Sequence, residues 1–198
     1  MSSVQKTANW SVGGKGFSRT EEYSGEGVTV LDDVQLPAGQ AGNATVSGTV
    51  VLTSDPVDLE AGELVGVFWE GGQRVLCVID SVTDDTLVLS GGSGDALPAS
   101  EAVVVSLMLI SRTDIVGDDI QILSLQTGDA GAVVAMRDEA DALLAQFDIE
   151  TSGQAEGWNN KSGITNPLAG DTVGSIAMCA SSTTTTSIYL AALVDSIG

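Results

Sequence analysis

Carboxylates, indoles and thiols are the groups of this sequence that could do chemistry, and histidine, the commonest general base, is absent from its 198 residues. Without histidine there is no Ser-His-Asp or Cys-His nucleophile system and no His-containing zinc site. Two cysteines, Cys77 and Cys179, are too few for a four-thiolate site. They stand far apart in alternating apolar runs, so reduced core thiols are expected rather than a disulfide. Gly13-Gly14-Lys15-Gly16 has the residue types of a phosphate loop without the Walker spacing, and reads as a hairpin turn.

The carboxylates allow two further chemistries. Glycoside hydrolysis needs two carboxyls at a fixed spacing in a sugar-binding cleft. Such clefts carry aromatic platforms, and aromatics are 4% of this chain, which counts against it. Calcium binding would draw on Asp32-Asp33, Asp84-Asp85 or Asp118-Asp119. None repeats the alternating Asp/Asn, Gly and distant Glu of a calcium loop, and Asp doublets are ordinary in turns. The expectation is therefore a protein that is not an enzyme, with no catalytic residue, no cofactor and no metal.

Binding remains. Trp10, Trp69 and Trp158 are the only indoles, and core or subunit packing is the expectation for each. For a sugar contact the best candidate is Trp158, set beside a turn by Gly157 and Asn159-Asn160, with Asp171 nearby. For partner docking the candidates are Lys6, Lys15 and Arg19 together with Trp10. They give the N-terminal segment a basic character suited to an acidic neighbour, such as another copy of the chain; a solvated edge strand is the alternative.

Charge narrows the partners. With 27 acidic and 7 basic residues the net charge is −20, which repels nucleic-acid backbones and anionic membrane surfaces. No apolar stretch reaches the roughly 18–20 residues that a membrane helix needs. The start, MSSVQKTANWSV, has no basic region followed by an apolar run, so synthesis in a host cytoplasm without a signal peptide is expected.

The elements that must position these residues read as strands. Short runs rich in Val, Thr and Ile are punctuated by Gly, Asp, Asn and Ser. Residues 1–54 give N-terminal strands, including a hairpin of Trp10–Val12 with Phe17–Tyr23 and a strand over Thr45–Leu52. Residues 55–110 give a small barrel of the SH3-like or OB-like type with five strands, a loop at Gly91–Gly94, and one long strand over Ala102–Ile110. Residues 111–198 give the remaining strands. Arg137–Gln146 has helix-forming composition, yet close flanking strands favour a hairpin with its turn near Glu139–Asp141. The predicted fold class is all-β: a β-sandwich, with a jelly roll among its candidate wirings, into which the barrel is inserted.

Three stretches, GGSGDALPAS (91–100), GITNPLAGDTVGSIAMCASS (163–182) and the final apolar strand SIYLAALVDS (187–196), carry a Gly/Ser/Thr-rich texture. In this the chain resembles small β-rich virion proteins of tailed bacteriophages, namely head decoration proteins and head, neck or tail accessory proteins. The resemblance implies a virion location and other virion proteins as partners. It also implies homo-oligomers, with a trimer favoured, and stabilisation of neighbouring subunits as the role. The alternative is a carbohydrate-binding receptor or adhesin module of a fibre or tail.

Overall fold

Alternating apolar and polar residues, broken by Gly, Asp and Ser clusters, give strand after strand. The computed structural model describes residues 3–12, 15–24, 26–115, 119–127, 130–149, 159–160 and 173–195. Every regular element among them is a strand. In chain order they are β1 (Ser3–Val12), β2 (Lys15–Ser24), β3 (Glu26–Leu36), β4 (Gln40–Val46), β5 (Thr49–Leu52), β6 (Leu64–Trp69), β7 (Gly72–Thr83) and β8 (Thr86–Gly94). There follow β9 (Ala102–Leu107), β10 (Leu109–Ile115), β11 (Asp119–Thr127), β12 (Ala132–Arg137), β13 (Leu143–Ile149), β14 (Asn159–Asn160), β15 (Val173–Ala180) and β16 (Thr186–Asp195).

They form a closed barrel in the order β4-β5-β8-β7-β6-β9, two four-stranded sheets in the orders β10-β15-β12-β13 and β14-β11-β16-β3, and a two-stranded sheet of β1 with β2. The barrel is built from consecutive strands lying between β3 and β10. It closes with six strands rather than five, and its first strand begins at Gln40 rather than after residue 55. Two of the six, β4 and β5, precede residue 55, and both draw on the expected single strand Thr45–Leu52. That stretch is not one strand: Val46 stands opposite Thr49 across Ser47-Gly48, and Gly48 takes φ +82°, a left-handed conformation suited to glycine.

Two other expectations are corrected. Gly91–Gly94 is not a loop but the end of β8, paired with Arg74–Cys77 of β7. Glycines at positive φ (Gly91, Gly92 and Gly94) let the backbone bend while staying paired. The apolar run Ala102–Ile110 is two strands in two sheets, separated at buried Met108. The Met108 N–H donates to the Leu64 carbonyl at 2.9 Å, and its Sδ accepts the Leu76 N–H at 3.3 Å. Arg137–Gln146 does fold as a hairpin. Its turn is fixed by Asp138, whose Oδ1 accepts the N–H groups of Ala140 and Ala142, both at 2.8 Å.

Three cores hold these parts. Val65, Val67, Cys77, Ile79, Leu87, Leu89, Val103 and Val105 fill the barrel. Ala132, Val134, Met136, Ile176 and Met178 share a second core with Leu36 and Ile188 of β3 and β16. The opposite faces of β12 and β15, with Val133, Ala135, Ala177 and Cys179, pack on Phe68, Val75 and Met108. The barrel thus sits on one face of the β10-β15-β12-β13 sheet while the other face meets β3 and β16. All six residues of β12 are consequently buried, without alternation.

Candidate functional site

Where the barrel meets the sheet, the contact opens into a groove of about 450 Å³. Its barrel wall is the β6–β7 hairpin, with Phe68, Trp69, Gly72 and Gln73, together with Asp95 just past β8. Its sheet wall is Ala132 and Val133 of β12 with Asp148 and Ile149 of β13, and Ser181 follows β15. The hairpin turns in two residues, Trp69 standing opposite Gly72 across Glu70-Gly71. This brings the half-buried Trp69 indole over the Gly72 backbone, where a Cβ would sit 2.6 Å from the ring. Glycine at 72 is therefore what lets the indole approach the backbone this closely.

Gln73 is the polar pivot. Its side-chain Nε2 donates to Asp148 Oδ2 at 2.5 Å, bridging barrel and sheet. The other oxygen, Asp148 Oδ1, accepts from Gln146 Nε2 at 3.0 Å. The backbone N–H of Gln73 donates to Asp95 Oδ2 at 3.2 Å, and its carbonyl accepts the Asp95 N–H at 2.9 Å. Asp95 is itself fixed by Arg74. That guanidinium donates to the carbonyls of Gly91 (2.7 Å), Gly92 (2.9 Å), Gly94 (3.1 Å) and Asp95 (2.9 Å). Its fork of donors is used on bent backbone rather than on a carboxylate. Among the described residues the groove lining thus carries two carboxylates, an amide and an indole, and no lysine or arginine.

The two thiols lie elsewhere, both free and buried. Cys77 is in the barrel core, and burial pushes its thiol up to about 11 against the opposing pull of Arg74. Cys179 packs between barrel and sheet, where burial likewise raises it, further still. Among the described residues no three acidic or thiol groups gather as metal ligands would. Asp84 instead takes φ +52° in the two-residue turn between Thr83 and Thr86.

The docking candidates fall on β1 and β2. These strands pair with each other along their whole length and meet no other strand beyond marginal contact among the described residues. The register sets Lys6 opposite Glu21, Ala8 opposite Arg19, Trp10 opposite Phe17 and Val12 opposite Lys15. Cross-strand partners share a face and positions two apart repeat it. Lys6, Trp10, Lys15 and Arg19 therefore belong to one face, with Val4, Phe17 and Tyr23. The other face carries only Ser, Gln, Thr, Asn, Gly and Glu22 positions. Sequence reasoning singled out these four residues without seeing that one register unites them.

Asn159 and Asn160 form β14, opposite Thr127 and Gln126 of β11, whereas Trp158 and Asp171 lie outside the described residues. The groove residues Trp69, Gln73, Asp95 and Asp148 were missed. The available signal was Trp69-Glu70-Gly71-Gly72, an indole at the end of a two-residue hairpin. Compared with protein-family models, curated proteins and solved structures, the chain matches none.

Proposed function

We propose that this chain is a non-enzymatic structural protein of a tailed-bacteriophage particle, which docks on neighbouring subunits through its N-terminal hairpin. The observation that carries the reading is the β1–β2 register. It gathers aromatic and basic positions on one face of a hairpin that pairs with nothing else described. A two-stranded hairpin is marginal alone in water and gains stability by covering such a face. On that face the positions of Lys6, Lys15 and Arg19 stand against Glu21 alone, in a chain whose net charge is −20. Another copy of the chain, or a similarly acidic virion protein, is therefore the complementary partner. Closed homo-oligomers follow from such self-recognition, and the resemblance to virion decoration proteins favours a trimer among them.

In this reading the two four-stranded sheets are the halves of a β-sandwich, wired as a jelly roll, and the barrel is the module hung from it. The core shared by Leu36 and Ile188 with Val134 and Met178 supports the sandwich. The role is that of a decoration or accessory protein clamping its neighbours.

Light scattering after size exclusion tests the assembly. A multiple of 20.1 kDa that falls to the monomer in a Lys6→Glu, Arg19→Glu, Trp10→Ala variant is expected. A monomer at every concentration, together with no binding to particles lacking the protein, would overturn the reading.

A further inference from the structure

We infer that the groove between barrel and sheet is a binding site for a neutral saccharide, seated against Trp69 and hydrogen-bonded by Gln73, Asp95 and Asp148. The inference is independent of how copies assemble, because the groove is built within one chain.

The chemistry of the lining selects the ligand class. A sugar ring offers an apolar C–H face and a rim of hydroxyls that both donate and accept. An indole wall matches the first and carboxylates with amides match the second. Trp69 is half-buried against the barrel core, so the ring is ordered before a ligand arrives. Asp148 and Asp95 keep acceptor capacity beyond the amide contacts they already make, and hydroxyl donors can use it. An anionic ligand would face two carboxylates with no cation among the described lining residues. A lysine or arginine side chain is the rival occupant. Both carboxylates would attract it, but the Trp69 wall and the Gln73 amide suit the C–H face and hydroxyls of a sugar ring, and hexalysine in the test below separates the two occupants. The volume, about 450 Å³, lies within the range of small-ligand sites. The polar groups are set by rigid parts: strand pairing holds Gln73 and Asp148, and the Arg74 clamp holds the Asp95 backbone.

The test probes the full chain against a printed array of bacterial surface oligosaccharides, with hexalysine as the cationic control and titration calorimetry on any hit. At least one neutral oligosaccharide is expected to bind. Its affinity should fall at least tenfold in Trp69→Ala and in Asp148→Asn. Asp95→Asn, at an exposed position, should weaken binding while leaving the thermal midpoint in place, so the inference does not depend on Trp69→Ala folding. No glycan bound by the wild type, binding indifferent to Trp69, Asp95 and Asp148, or hexalysine held at the groove in place of sugar would each overturn it.

Discussion

The barrel and the β10-β15-β12-β13 sheet solve the same problem in opposite ways. The barrel closes on itself, so it has no edge and needs only its inner face buried. Its strand β8 accordingly alternates, with Leu87 and Leu89 inside and Val88 outside. The sheet stays open and is covered on both faces instead, so β12 runs AVVAMR with every residue buried. Where the two meet, β6 behaves like the sheet: Val65 and Val67 fill the barrel, while Leu64 and Phe68 point at β12 and β15. Continuous burial therefore marks contact between the layers, and alternation marks a free outer face.

That comparison can be broken most forcefully in the sheet. Ile176→Ala empties a fully buried site between the sheet and β3/β16 and should cost about 2–5 kcal/mol in a denaturant melt. A loss well under 1 kcal/mol would mean that the second face is not packed. Next comes the layer contact. A Cβ at Gly66 would stand 2.8 Å from Cys179 Sγ and 2.9 Å from the Phe68 ring. Gly66→Val should therefore cost about 1–3 kcal/mol by overpacking. Adding Cys179→Ala should recover part of that loss, and a double-mutant cycle without coupling would deny the contact.

The barrel's own weak point is the bent end of β8. Arg74→Lys keeps the charge but cannot span four carbonyls, so a loss of about 1–2 kcal/mol is expected, with faster amide exchange at Gly91–Asp95. The buried thiols add a pH term. Their folded values are raised, so their contribution is complete below the ordinary thiol value near 9 and is lost as pH rises toward about 11 at Cys77. The denaturant midpoint of the wild type should fall more steeply over that window than that of a Cys77→Ala, Cys179→Ala variant. Equal slopes would place the thiols in water. The smallest effect is a gain: Asp84→Gly relieves φ +52° and should add under about 1 kcal/mol.

These contrasts also explain what could be read in the sequence. The strands β11, β12, β13, β15 and β16 were legible because each is a bounded β-branched or apolar run. The β12–β13 hairpin was legible too, because strand signals outweighed the helical composition of Arg137–Gln146. The division at Met108 was not, since barrel strand β9 and sheet strand β10 are both apolar and only their partners differ. Ser47-Gly48 was passed over because its flanking residues continue one β pattern. The groove was hidden for a different reason. Gln73 and Asp148 are 75 residues apart, and nothing local announces that a barrel hairpin and a sheet strand will face each other. The hairpin face was half legible: its residues were singled out by type, and their common side required the register.

Hydrogen exchange resolved by peptide tests the two-sided burial of the central sheet most directly. The amides of β12 and β15 should exchange slowest in the chain, more slowly than those of the outer barrel strands β4 and β5. Fast exchange in Ala132–Arg137 while the barrel stays protected would contradict it, because a strand covered on both faces cannot open without disturbing both neighbours.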